Sequence, residues 1–97
     1  MFDKIKGLME MRKKLEEIKK ELDKTNFDIE GPGGIVKITM NGSQEVQEVT
    51  FGAGSLDGQK DRLQKDIKDT FNRAIKRSQE IAAQKMKEAT GINLPGM

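Results

Sequence analysis

The sequence of 97 residues contains no cysteine and no histidine. Disulfide frameworks, thiolate nucleophiles, imidazole bases and the ordinary zinc sites depend on these two side chains, so their absence excludes all four. The acidic residues form no paired-carboxylate constellation beyond the surfaces of predicted helices. We therefore expect a protein that is not an enzyme and that uses no metal, no cofactor and no small-molecule substrate.

Aromatic residues are also scarce, with four phenylalanines and neither tyrosine nor tryptophan. The chain therefore has few residues from which to form a surface on which successive unpaired bases stack. No apolar stretch approaches the length that crosses a membrane, and the first residues lack the apolar run of a signal peptide. The sequence predicts a soluble cytoplasmic protein without a membrane partner.

What the chain does contain is charge, since Asp, Glu, Lys and Arg make up 35% of it against 34% hydrophobic residues. This balance suits long, exposed helices. The length predicts a single domain over residues 1-97, and a chain this short buries only a modest fraction of its surface. A partner subunit would therefore stabilise it.

Strand periodicity is confined to the middle of the chain, where strands are predicted at about 34-41 and 44-51. Val36, Ile38 and Met40 alternate with Lys37 and Thr39, which gives one apolar face. A two-stranded hairpin is marginal alone in water, so another surface must cover this face. The apolar face, which we predict to be the interface of a homodimer, comprises Val36, Ile38, Met40, Val49 and Phe51.

The dipeptide Asn41-Gly42 predicts the turn of this hairpin. Both central residues of a type I′ turn need a positive φ, which Gly allows freely and Asn tolerates. A two-residue loop pairs Met40 with Ser43 and Ile38 with Glu45. This register places Val49 and Phe51 on the apolar face.

Helices are predicted on both sides of the strands, at 5-24 and 57-90, with a short first strand at about 26-30 and a flexible tail at 91-97. In the first helix Leu8, Met11, Leu15, Ile18 and Leu22 form a heptad seam. The seam fits either an amphipathic helix on its own sheet or an extended coiled-coil-like arm. The predicted fold is α+β, with a helix, a three-stranded antiparallel sheet and a long helix (αβββα).

Charge is segregated along the chain, although the net charge is only +2. Residues 4–14 and residues 70–87 each carry five basic groups against one glutamate, a net charge of +4. Residues 25–56 carry one lysine against four acidic groups, a net charge of −3. Two basic segments that converge on arms beside an acidic body would suit a phosphate backbone, while solvated helix faces are the alternative explanation. The candidate DNA-binding residues are Lys4, Lys6, Arg12, Lys13, Lys14, Arg73, Lys76, Arg77, Lys85 and Lys87.

Three groups of residues resemble a known family. They are the run from Gly33 to Gly42 (GGIVKITMNG), the run from Phe71 to Ala74 (FNRA), and Gly91 with the later Leu94-Pro95-Gly96. Together they resemble the YbaB/EbfC family of bacterial nucleoid-associated proteins, over nearly the whole chain. The resemblance implies a tweezer-like homodimer that dimerises through the sheet region and binds duplex DNA with projecting helical arms. The chain departs from the family pattern after the third strand, where it has Phe51-Gly52-Ala53-Gly54.

The leading functional hypothesis is therefore a nucleoid-associated homodimer that binds duplex DNA with low sequence specificity, in an architectural or regulatory role. The alternative is a prefoldin-like chaperone or coiled-coil adaptor that holds protein clients between helical tips. Met9, Met11 and Met86 would suit an adaptable apolar surface of that kind. Distal segments that are basic rather than apolar favour DNA.

Overall fold

A computed structural model describes residues 2–52 and 60–91. The predicted helix start at 57–59 and the tail at 92–97 lie outside the described residues. The predicted α+β class and the order of helix, three strands and helix are confirmed. The elements are α1 (Phe2–Lys24), β1 (Asn26–Glu30), β2 (Val36–Asn41), β3 (Val46–Phe51) and α2 (Lys60–Thr90), with a short 3₁₀ helix at Pro32–Gly34 between β1 and β2.

The three strands form an antiparallel sheet in the order β1-β2-β3. Ile38 lies in the centre, opposite Ile29 of β1 and Val49 of β3. Because paired residues share a face, the apolar residues of all three strands lie on one side of the sheet. The opposite side is polar, and there the Thr39 hydroxyl donates a 2.6 Å hydrogen bond to the Asp28 carboxylate.

The hydrophobic core forms where α2 lies across the apolar face. Val36, Ile38 and Met40 are almost completely buried together with Ala74 of α2. Burial of an aliphatic side chain of this size stabilises the fold by about 1.5–3 kcal/mol. The half-buried residues around this core are Phe27, Ile29, Ile35, Ile67 and Phe71.

The turn between β2 and β3 differs from the predicted type I′ turn. The loop has four residues, 42 to 45, and the left-handed residue is Gln44, with a φ of 61°. The Asn41 side chain oxygen accepts hydrogen bonds from the main-chain N–H groups of Ser43 and Glu45, and this local bonding stabilises the longer loop. Gly42 instead lies in a narrow space, because a Cβ there would lie 2.7 Å from Leu22 Cδ2 and 3.3 Å from the Leu22 carbonyl oxygen.

The longer loop also changes the register of the hairpin. Ile38 pairs with Val49 rather than Glu45, and Met40 pairs with Val46 across a bulge in β3. The predicted pairing was therefore wrong. The predicted face was nevertheless right. The partner of Ile38 moves from Glu45 to Val49, which is an even number of residues, and side chains along a strand alternate between the two faces of the sheet.

Only the C-terminal end of α1 is packed against the rest of the chain. Among the described residues of α1, Ile18 and Leu22 are the buried ones, while every residue from 3 to 17 is exposed. The exposed length of α1 accounts for the elongated shape, which measures 65 × 23 × 16 Å. Both alternatives for the heptad seam are thus partly realised, since one end packs on the protein and the other projects.

Candidate nucleic-acid interface

The projecting part of the molecule, which we call the arm, consists of α1 and the C-terminal third of α2. The two helices are antiparallel, since Lys85 of α2 contacts Glu21 of α1 at 3.6 Å while Ala89 shares a groove with Lys14. α2 ends at Thr90, where Gly91 adopts a φ of +71°. The N-terminal half of α1 therefore continues past the end of α2.

The first basic segment lies entirely on this exposed helix. Lys4, Lys6, Arg12, Lys13 and Lys14 are all exposed. Arg12 forms an ion pair with Glu16, with 3.4 Å between Nε and Oε1. An exposed pair of this kind contributes at most about 1 kcal/mol, so the guanidinium is readily released to a phosphate.

The second basic segment is divided between the arm and the body. Lys85 and Lys87 lie in the part of α2 that accompanies α1. Arg73 instead lies beside the sheet, where Nη2 donates a 2.7 Å hydrogen bond to the carbonyl oxygen of Glu30 at the end of β1. Arg77 pairs with Glu80 at 3.4 Å, one turn further along α2. At a rise of about 1.5 Å per residue, Arg73 and Lys85 are separated by about 18 Å along the helix.

The sheet, by contrast, carries mainly acidic charge. Asp28 and Glu48 lie on the polar side of the sheet, next to Thr39 on either side. They contribute to the net charge of −3 over residues 25–56. The positive charge of the first basic segment and the negative charge of the sheet favour an approach of a polyanion to the projecting part of α1 rather than to the sheet.

The predicted interface residues fall into two groups. Val36, Ile38 and Met40 are covered by α2 of their own chain. Val49 and Phe51 lie on the same face but beyond the reach of α2, and they are 38% and 53% exposed. With Val46, which is 44% exposed, they form what we call the β3 patch. The patch adjoins the outer edge of β3, which pairs with no other strand among the described residues.

A second apolar surface runs along the arm. Its members are the uncovered part of the heptad seam and two neighbours, and their exposure reaches 72% at Leu8. The residues of this stripe are Ile5, Leu8, Met9, Met11 and Leu15.

A network of polar groups at the base of the arm was not found from the sequence. Ser78, which interrupts the apolar stripe of α2, is completely buried and hydrogen-bonds to the loop after β2. Lys19 donates a 2.8 Å hydrogen bond to Asp23, which raises the pKa of Lys19. That bond and a second one from the Ser43 hydroxyl lower the pKa of Asp23. The Asp23 carboxylate therefore stays ionised at neutral pH and keeps both partners.

Metal clusters and membrane-spanning helices are both absent from the described residues. Over 2–52 and 60–91, no group of three or more acidic side chains is placed to hold a metal ion. Within the same ranges, no helix has the length and apolarity needed to cross a membrane.

The fold is that of a small α+β protein, in which an exposed basic helical arm projects from a small antiparallel sheet. This combination is suited to binding nucleic acid. The model of the YbaB/EbfC DNA-binding family matches residues 1–92, and the chain belongs to this family. Membership confirms the predicted resemblance and the prediction of a DNA-binding, non-enzymatic class.

Relatives and a solved structure agree with this assignment. A nucleoid-associated protein of Anaeromyxobacter dehalogenans is 34% identical over 99 aligned positions, which cover 96% of each chain. A protein of the same description from Persephonella marina is 33% identical over 86 positions, or 86% of this chain and 78% of that one. The crystal structure of an uncharacterized protein of Helicobacter pylori superposes with a TM-score of 0.73 at 22% identity, over 82% of this chain and 86% of that one. This last likeness concerns the fold.

Proposed function

We propose that the protein binds duplex DNA as a homodimer, mainly through contacts from Lys and Arg side chains of the arms to phosphates. The observation that carries the proposal is the first basic segment, whose five cations all lie on an exposed helix that projects from the body. Each neutralised phosphate releases condensed counterions, so a projecting row of cations supplies affinity without any reading of bases.

The proposed contacts comprise an arm group and a body group. The arm group lies along the projecting part of α1 and the end of α2. It consists of Lys4, Lys6, Arg12, Lys13, Lys14, Lys85 and Lys87. The body group, Arg73, Lys76 and Arg77, lies on α2 closer to the sheet, where Arg73 also holds the end of β1.

Low sequence specificity follows from the same geometry. Sequence is read mainly by side chains that reach base edges in a groove, and the exposed polar groups on the arm are overwhelmingly charged. We propose an architectural or regulatory role in the bacterial nucleoid, within the cytoplasm, in keeping with the description of the relatives as nucleoid-associated proteins.

The β3 patch and the free edge of β3 support the homodimer. An exposed edge strand beside apolar side chains is a template for pairing with another strand, and a second copy of β3 would cover both features. In this arrangement Val49 and Phe51 contact the partner directly. Val36, Ile38 and Met40 support them from inside the protomer.

Binding of unrelated duplexes at several salt concentrations tests the proposal. We expect similar affinities for a duplex and its shuffled versions, and a linear fall of log affinity with log salt at about −0.9 per phosphate contacted. A thousandfold preference for one duplex would contradict low specificity. Affinity that does not change with salt would contradict phosphate contacts.

The apolar stripe of the arm favours a second candidate function, a prefoldin-like chaperone or coiled-coil adaptor. Apolar residues as exposed as Leu8 and Met9 are typical of surfaces that bind other molecules. Suppression of the aggregation of an unfolded client protein, measured with and without competing DNA, separates the two functions. A chaperone loses this activity when Leu8 and Met9 are changed to Gln, whereas DNA binding through phosphates is retained.

A further inference from the structure

The base of the arm is held by one buried asparagine, Asn41, whose side chain is 1% exposed. Its Nδ2 donates to the carbonyl oxygen of Asp23 at 3.2 Å and to Oε1 of Glu45 at 2.9 Å. Its Oδ1 accepts from the N–H groups of Ser43 at 3.0 Å and Glu45 at 2.9 Å. Two donors and two acceptors are the full capacity of an Asn amide, and all four are used.

Three of these bonds lie within the loop, but the bond to Asp23 reaches the last turn of α1, 18 residues earlier in the chain. The same loop supplies two more contacts to that turn. The Gly42 N–H donates to the carbonyl oxygen of Leu22 at 3.0 Å, and the Ser43 hydroxyl donates to the Asp23 carboxylate. The last carbonyl groups of a helix have no partner within it, so the loop caps the C-terminus of α1.

The other side of the loop is fixed to the middle of α2. The Ser78 hydroxyl donates to the carbonyl oxygen of Asn41 at 2.9 Å and accepts from the N–H of Gln44 at 3.0 Å. One loop thus joins the end of α1, the end of β2 and the middle of α2. We call this polar cluster of Asp23, Asn41, Ser43, Glu45 and Ser78 the joint.

Apolar packing alone fixes α1 only weakly, because Ile18 and Leu22 are the buried residues among those described in this helix. The helix that extends from the joint, α1, is long, since 23 residues at about 1.5 Å each span about 34 Å. A tilt of about 10° at the joint moves the tip by about 6 Å, which exceeds the rise of about 3.4 Å between successive phosphates of a strand. The direction of α1 therefore decides which phosphates the basic residues reach together.

From these contacts we infer that Asn41 is a positioning residue for DNA binding, which fixes the direction of the arm relative to the body. The inference rests on the proposed function. Asn41 contacts no DNA in this account. It acts through α1, by holding the carbonyl end of that helix against a loop that α2 also holds.

The chemistry of the site requires an amide. Aspartate has the same shape and keeps both acceptors, but it has no donor for the Asp23 carbonyl oxygen and places a second carboxylate beside Glu45. Asn41→Asp is therefore the test variant. Asn26→Asp is the matched control, because Asn26 lies opposite Asn41 on β1, is exposed, and undergoes the same change of charge.

The absence of cysteine allows clean spin labelling. Glu10→Cys on the arm and Lys68→Cys on α2, both at exposed positions, define one distance across the joint. The doubly labelled chain is diluted with excess unlabelled chain, so that distances between two labelled protomers do not contribute to the signal. Pulsed electron paramagnetic resonance then gives the distribution of this distance, while circular dichroism shows whether each variant is folded.

We expect a narrow distance distribution in the parent and in Asn26→Asp, and a clearly broader one in Asn41→Asp. We also expect Asn41→Asp to bind DNA about tenfold more weakly than Asn26→Asp at about 0.1 M salt, the cost of about one phosphate contact. If Asn41→Asp is unfolded, Asn41→Ser replaces it, since serine lacks the amide that donates to the Asp23 carbonyl oxygen and adds no charge.

Two outcomes would overturn the inference. One is a distribution as narrow in the folded joint variant as in the parent. The other is a broadened distribution with DNA affinity equal to that of the Asn26→Asp control. Failure of the proposed function is distinguishable from both, because in that case the parent itself does not bind DNA.

Discussion

The hydroxyl of Ser78 donates a 2.9 Å hydrogen bond to the main-chain oxygen of Asn41, and this bond ties the middle of α2 to the end of β2. The same hydroxyl accepts from the N–H of Gln44, so one small side chain satisfies two main-chain groups. Ser78 is completely buried, so loss of these hydrogen bonds is expected to destabilise the fold.

Ser78→Ala is expected to lower the free energy of unfolding by about 1–3 kcal/mol, because it removes two hydrogen bonds from a buried site. The Asn41 carbonyl oxygen and the Gln44 N–H then keep only the 3.2 Å bond that joins them. Chemical denaturation followed by circular dichroism measures this change. Gln79→Ala is the control, since Gln79 is the exposed neighbour on the same helix and its replacement should cost within about 0.5 kcal/mol. Equal stability of the two variants would show that the Ser78 bonds contribute nothing.

Gly42→Ala tests the close approach of the loop to α1. The new Cβ would lie 2.7 Å from Leu22 Cδ2 and 3.3 Å from the Leu22 carbonyl oxygen. The buried Leu22 side chain must therefore move, and the main chain must yield slightly. We expect a loss of about 1–3 kcal/mol in the free energy of unfolding, typical of overpacking. Gly7→Ala is the control, because the site is helical with nothing within 4 Å, and alanine there should leave stability unchanged or raise it. A stable Gly42→Ala variant would argue against tight packing at this point.

Phe51→Lys tests the proposed interface of the homodimer. Phe51 is half exposed at the β3 patch, so the lysine should leave the protomer folded while placing charge where a partner strand would pack. Analytical ultracentrifugation is expected to show a loss of dimer with helical content preserved. Thr50→Lys, on the same strand but the opposite face, should remain dimeric. A dimeric Phe51→Lys variant would place the interface elsewhere.

Residue patterns predicted the elements well, because each rests on local periodicity. The alternation of Val36, Ile38 and Met40 is visible in the sequence, and so is the helical period of α1. The turn was mispredicted because the Asn41-Gly42 signal describes isolated hairpins. Here the Asn41 amide and the narrow space beside Leu22 select a longer loop, and both depend on α1, which a local pattern does not contain.

The candidate interface also depends on contacts between distant segments, which a local sequence pattern does not contain. The sequence indicates which residues are basic, but the division between the arm group and the body group depends on where α2 meets α1. Arg73 and Lys85 belong to one charge segment in the sequence, yet one holds Glu30 of the sheet and the other contacts Glu21 of α1. In the sequence, Ser78 is only a polar residue among the apolar positions of α2, because its partners lie at a loop more than 30 residues away.

Substitution of the basic residues one group at a time tests the phosphate contacts of each group. Arg12, Lys13 and Lys14 are consecutive residues of the exposed arm, and their joint change to Gln should weaken binding to every duplex alike. Being solvent-facing, the substitutions should each change stability by no more than about 0.5 kcal/mol. The corresponding change of Arg73, Lys76 and Arg77 should also weaken binding, with an additional loss of stability because the bond of Arg73 to Glu30 is removed.

The slope of log affinity against log salt, compared between the parent and the Arg12, Lys13 and Lys14 triple Gln variant, tests the central claim most directly. Three lost phosphate contacts should reduce the steepness of the slope by up to about 2.7, at about 0.9 for each contact, while the variant remains folded. A triple variant with the affinity and the slope of the parent would contradict the claim that α1 binds the phosphate backbone.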